Sequence, residues 1–228
     1  MIYERMRRGI FLDRPNRFIA RVEMDGAPML CHVKNTGRCR ELLLPGAAVL
    51  VQQAAPKASS RKTGYDLIAV WKGRRLVNMD AAAPNQVCGE WLRGGGLGFR
   101  PTLVKPECTH EDSRFDFYFE MGESRAFMEV KGVTLEQDGA ALFPDAPTLR
   151  GVKHLRGLAR CVEQGFQAYA VFIIQMQDVD WFGPNWSTHP EFGTALRQAQ
   201  AAGVRILALD CQVSETSLSV RRPVEVRL

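Results

Sequence analysis

No run of about 18 apolar residues occurs in the chain, so nothing in it reads as a membrane-spanning helix. The opening stretch MIYERMRRGIFLDRP also lacks a long apolar segment followed by a small-residue cleavage site. A cytoplasmic protein with no membrane partner is therefore expected. The six cysteines (Cys31, Cys39, Cys88, Cys108, Cys161, Cys211) contain no CxxC pair and no dense framework, which argues against a disulfide-stapled secreted domain. Cys31, His32 and Cys39 make a poor zinc set, because two of the ligands are adjacent and no second pair exists. Internal repeats and low-complexity tracts are missing too, which excludes solenoids and disordered linkers.

What is present is an ordinary globular composition: 228 residues, 46% hydrophobic and 24% charged. That is enough chain for two modest domains, each with its own core. The net charge of +5 suits a polyanionic partner, since Lys and Arg gain affinity by displacing phosphate counterions. The charge is spread along the chain, so the positions of particular basic residues must decide.

Residues 1–81 read as a small β-barrel. FIARVEMDG and MLCHVK flank an Asp25-Gly26 turn, a hairpin signal. Asn35 or Thr36 is placed to cap a short helix over RCRELLL, which Pro45-Gly46 stops. AAVLVQQA resumes as a strand, and DLIAVW and RRLVNMD form a second hairpin through Lys72-Gly73-Arg74. Five such strands suit an OB-like barrel. Arg38, Arg40, Arg61 and Lys62 are its candidates for a nucleic-acid groove.

Residues 82–228 alternate helix and strand, so the fold class is α/β (α+β). NQVCGEWLRGG reads as a helix ended by Gly94-Gly95-Gly96, and RFDFYFE and AFMEVKGVTL as a strand pair turning at Gly122-Glu123-Ser124. Thr148 caps a basic helix, RGVKHLRGLARCVEQG, whose Val152, Leu155, Leu158 and Val162 recur at helical spacing. AYAVFIIQM has the continuous apolar character of a strand buried on both faces, and Gln175 ends it. A helix at PEFGTALRQAQAAG and the strand RILALDC follow.

Side chains alternate across a strand, so Glu129 and Lys131 share one face of FMEVKGV, and hairpin pairing would bring Asp116 of the preceding strand to them. Two carboxylates supply hard oxygen ligands for Mg²⁺ or Mn²⁺, a cation that polarises a phosphate and acidifies a bound water. Lys131 would then orient or deprotonate that water, or clamp developing negative charge. Glu90, on the helix before the strands, is the candidate fourth participant. An acid-x-Lys triplet alone is common enough to arise by chance, and an ordinary cross-strand ion pair is the competing reading. Arg150, Lys153 and His154 lie in the first turns of the basic helix, where free N–H groups and the helix dipole also favour phosphate.

Five stretches, HVKNTGRCRELLLPG, SRFDFYFE, FMEVKGVTL, FPDAPTLRGVKHLRGL and FIIQMQDVDWFGPN, resemble the bacterial sugar fermentation stimulation protein A family over essentially the whole chain. The resemblance implies an N-terminal OB-like domain, a PD-(D/E)xK nuclease-type domain, DNA binding and a link to maltose metabolism. By motif, Asp116 would be the first acid, Glu129 and Lys131 the acid-x-Lys pair and Glu90 the helical acid. The expectation is a nucleic-acid-binding protein, on DNA or RNA, with a metal-dependent phosphodiesterase site. The alternative is a regulatory DNA-binding protein that keeps the nuclease fold without the chemistry.

Overall fold

The computed structural model describes residues 1–35, 37, 39–54 and 63–228. Its first unit is built from β1 (Met6–Asn16), β2 (Ile19–Met24), β3 (Ala27–Val33), β4 (Ala48–Gln53), β5 (Tyr65–Lys72) and β6 (Arg75–Asn78). The strand order is β3-β2-β1-β4-β5-β6, and a parallel pairing of β3 with β5 closes the first five into a barrel. The expected hairpin turn at Asp25-Gly26 is there, both residues having positive φ, as a type I′ turn requires. β6 hangs on β5 outside the closed ring, so the barrel's fifth strand is β1. The alternation of β1 is masked by its arginines and by Gly9, where a Cβ would sit 2.4 Å from Val22 Cγ1. That contact shows why only glycine lets β1 and β2 approach there.

The short helix expected over RCRELLL does not form among the described residues. Only a turn is made, with the amides of Leu42 and Leu43 both donating to the Cys39 carbonyl, while Leu42 and Leu43 drop into the barrel core. Burying those leucines fixes the segment by tertiary contact where helix propensity alone would extend it.

The second unit continues with α1 (Ala83–Arg93), β7 (Leu103–His110), β8 (Ser113–Met121), β9 (Ser124–Val133), β10 (Leu135–Gln137), β11 (Ala140–Phe143), α2 (Leu149–Glu163), β12 (Gln167–Ile174), β13 (Trp181–Pro184), α3 (Pro190–Ala201), β14 (Arg205–Val213) and β15 (Leu218–Val226). Nine strands form one mixed sheet in the order β10-β11-β13-β15-β14-β12-β9-β8-β7. β12 lies between β9 and β14 and runs parallel to both, in the middle of the sheet, and its side chains are buried on both faces. α2 packs on β8, β9 and β12 with α3 beside it, and α1 packs on β9 and β15. Thr148 caps α2, its hydroxyl accepting from the Gly151 amide at 3.1 Å.

The two units are tied together by polar contacts as well as by packing. Tyr3 donates its amide to the Thr216 carbonyl at 2.7 Å, so residues 1–3 join the second unit ahead of the barrel. Glu136, on β10, receives Lys72 at 2.7 Å and Arg75 at 2.9 Å from the barrel. No helix among the described residues is long and apolar enough to cross a membrane.

Candidate active site

β8 and β9 pair from their turn back to Phe117 and Met128, and there the ladder ends. Continued one step further, that register would set Asp116 opposite Glu129. Instead the strands part, and Asp116 fills the opening: its Oδ2 accepts from the Val130 amide at 2.7 Å and its Oδ1 from Asn85 Nδ2 of α1, also at 2.7 Å. A carboxylate thus takes the place of a ladder acceptor and is held by both the strand and the helix.

Glu129 is 4% exposed. Its Oε1 receives both the Lys131 ammonium and Nδ1 of His154, while its Oε2 is buried and has no hydrogen-bond partner among the described residues. Loading both donors onto one oxygen leaves the other bare, and a buried bare carboxylate oxygen is costly unless something cationic meets it. Arg150 fixes how His154 does this. The guanidinium can only donate, so its Nε–H to His154 Nε2, at 3.4 Å, makes Nε2 the acceptor. The ring proton then lies on Nδ1 and is donated to Glu129.

The two carboxyls feel each other. Burial, and after it the charge of Glu129, push the Asp116 carboxyl above its usual range, against the opposing pull of the Val130 amide, Lys131 and Asn85. Burial would also raise Glu129, but the His154 and Lys131 contacts outweigh it and hold that carboxyl below its usual range. In the hydrogen bonds of the pair, the Lys131 ammonium goes to Glu129, while Asp116 is held by the neutral N–H groups of Asn85 and Val130. No three His, Cys, Asp or Glu side chains among the described residues gather into a protein-only metal cage. Two carboxylates with one bare oxygen do fit Mg²⁺ or Mn²⁺, because Mg²⁺ usually binds through one or two carboxylates and keeps water or phosphate oxygens for the rest.

The other expected site residues fall elsewhere. Glu90 is not brought into this cluster. Its neighbours Val87, Cys88 and Gly89 turn inward, while Glu90 is half exposed and pairs with the amino terminus of Met1 at 2.7 Å. His154 is 4% exposed, too deep to meet a phosphate on the surface, and its ring is held between Glu129 and Arg150. Lys153 is exposed and donates to the Asp112 carbonyl at 2.6 Å. Arg40 lines a cavity of about 490 Å³ on the barrel with Arg14 and Arg17. Arg38, Arg61 and Lys62, like Thr36, lie outside the described residues. Sequence reasoning did not find Asn85, whose only signal is its place in the first turn of α1, or the Arg150-His154 relay, whose signal is the i, i+4 spacing.

Comparison with known proteins fits this architecture. A family model described as "SfsA N-terminal OB domain" matches residues 12–79, and one described as "Sugar fermentation stimulation protein RE domain" matches residues 82–217. A sugar fermentation stimulation protein homolog from Ruminiclostridium cellulolyticum is 54% identical over 229 residues, covering 100% of both chains. Its counterpart from Desulfitobacterium hafniense is 57% identical over 228 residues, covering 100% of this chain and 99% of that one. Among solved structures, SfsA of Pyrococcus furiosus in complex with Ca²⁺ superposes with a TM-score of 0.88 at 27% identity, covering 100% of this chain and 98% of that one. With an OB domain followed by a restriction-endonuclease-like domain, and full-length relatives at this identity, the chain belongs to the sugar fermentation stimulation protein family.

Proposed function

We propose that this protein is a divalent-metal-dependent phosphodiesterase acting on nucleic acid, with Asp116 and Glu129 as the metal-holding carboxylates and Lys131 beside the reacting phosphate. The observation that carries the reading is the buried Oε2 of Glu129, which has no hydrogen-bond partner among the described residues, on a strand whose Val130 amide also holds the Asp116 carboxylate. When bound there, Mg²⁺ or Mn²⁺ would polarise a phosphate and supply an acidified water. The Ca²⁺ carried by the Pyrococcus furiosus protein is in keeping with a divalent site in this fold.

The chain's own residues do the rest. Asn85 and the Val130 amide fix the direction of Asp116. His154 and Lys131 fix that of Glu129, so neither carboxylate needs to reorganise when substrate arrives. Lys131 is about a quarter exposed, with its ammonium at the rim of the pair, where it would contact a non-bridging phosphate oxygen or orient the attacking water. On the barrel, Arg40 and Arg17 flank an open cavity, and Arg17 lies 4.6 Å over the half-exposed Phe18 ring. A basic groove with an accessible aromatic is what a single strand uses on an OB barrel.

The test is cleavage of single-stranded and duplex DNA and RNA with Mg²⁺ or Mn²⁺ by wild type, Glu129→Ala and Lys131→Ala. Equal cleavage by all three would remove the catalytic assignment. Salt-sensitive binding without cleavage under either metal would favour the regulatory reading.

A further inference from the structure

Asn35, the FPDAPT loop and Gln175 belong to distant parts of the sequence and take no part in the carboxylate site, yet they converge. Together with Gly132, the residue after Lys131, they line a cavity of about 130 Å³ between the barrel and the second unit. Gln175 is 2% exposed, and its orientation is determined. Nε2 donates to Asn78 Oδ1 at 2.9 Å and to the Asp80 carbonyl at 3.1 Å, two groups that can only accept there. Asn78 Oδ1 is fixed as the acceptor in turn, because it also receives the Asp80 amide at 3.0 Å. The amide oxygen of Gln175 must therefore face the other way, and it accepts no hydrogen bond among the described residues. It lies over Gly132, where a Cβ would come within 2.6 Å of it and within 2.7 Å of Pro84 Cγ. The bare glycine keeps that oxygen open to the cavity.

The remaining wall is chemically mixed. Asp145 is exposed at the rim and brings a carboxylate. Asn35 uses its Oδ1 to accept from the Gly37 amide at 2.8 Å, which leaves its NH₂ as the end available to a ligand. Phe143 and Pro84 add apolar surface. A carboxylate and a bare amide oxygen repel an inorganic anion, and three polar groups are wasted on a purely apolar ligand. A flat ring with N–H groups along its edge suits both parts of the wall.

We propose that this cavity, which begins one residue beyond Lys131 along β9, receives the base of an unpaired nucleotide, its N–H-bearing edge turned to Gln175 Oε1 and Asp145. The inference rests on the nucleic-acid phosphodiesterase reading and narrows it to strands whose bases are free to leave the stack. A base in a duplex cannot enter without being unpaired, so single strands, ends and mismatches are the substrates of choice.

The experiment uses the full-length Glu129→Gln variant, silent in cleavage under that reading, with short single strands carrying one 2-aminopurine at successive positions. A base drawn from its neighbours into the cavity loses stacking and brightens. One position should brighten severalfold on binding, and an abasic residue at that position should weaken binding about 5- to 100-fold, the loss expected for one protein-held base. Adding Asp145→Ala, which alters an exposed loop residue, or Gln175→Leu should abolish the brightening while salt-dependent binding of the strand persists. If Gln175→Leu fails to fold, Asp145→Ala alone decides. Strand binding with no position brightening, or brightening that survives the substitutions, overturns the proposal and leaves the phosphodiesterase reading standing. Failure of any strand to bind overturns both.

Discussion

Removing the His154 imidazole takes away one of the two donors on Glu129 Oε1 without touching either proposed metal-holding carboxylate. A hydrogen bond to a charged group contributes about 1.5–3 kcal/mol, and loss of a residue that orients a metal ligand typically costs about 10- to 100-fold in metal affinity. His154→Ala should therefore weaken Mn²⁺ binding by about 10- to 100-fold, as measured by calorimetric titration of the purified protein. His154→Gln, whose amide N–H reaches toward the same oxygen, should recover most of the loss. Arg150→Ala, which releases only the tautomer through a 3.4 Å contact, should weaken binding less than about 10-fold. The contrast between Ala and Gln separates orientation of Glu129 from simple loss of packing. If folded His154→Ala protein binds Mn²⁺ as tightly as wild type, the imidazole does not position the metal-holding carboxylate and the reasoning fails.

Other outcomes follow from contacts that bind the two units and fill the core. Burial would raise the Glu136 carboxyl, but Lys72, the Gly139 amide and Arg75 overcome it and take it down to about 2 from 4.5. Because the folded value is the lower one, the stabilisation is present above pH 4.5 and is lost as pH falls toward 2; it amounts to at most about 3 kcal/mol. In urea unfolding, the stability gap between wild type and Glu136→Gln should shrink across that window, and a gap independent of pH would refute the interdomain ion cluster. Phe172 is fully buried, its ring 4.3 Å from that of Phe182 and 5.6 Å from that of Phe143. Phe172→Ala should cost about 3–5 kcal/mol and lower Tm by roughly 6–20 °C; a shift under about 3 °C would mean that the core collapses around the missing ring.

The parts of the molecule legible in sequence are those governed by local periodicity. The twofold repeat of RFDFYFE and FMEVKGV is enough to place Glu129 and Lys131 on one face and to bring Asp116 near them, and the Thr148 cap and the apolar stripe of α2 follow from helical spacing. What sequence could not supply depends on rotation and partners. Glu90 and Asn85 share α1, but which of them meets Asp116 is decided by how the helix sits on β9. His154 reads as a basic residue at a helix start, and only the packing of α2 over the strands buries it against Glu129. β1 is obscured by arginines and a glycine, and the short strands β10, β11 and β13 exist because neighbours offer ladder partners, a long-range fact that their few residues do not encode. The parting of β8 and β9 at Asp116, on which the site depends, leaves no mark in the alternation.

Whether the carboxylate pair is a catalytic metal site is decided by the rate at which the metal-stripped protein, given back Mg²⁺ or Mn²⁺, cleaves a labelled single strand, measured beside Glu129→Gln and Lys131→Met. Cleavage should occur only with metal, and each variant should lose about 10²–10⁴-fold in rate while strand binding is retained. Cleavage that needs no metal, or that proceeds equally in all three proteins, would contradict that role.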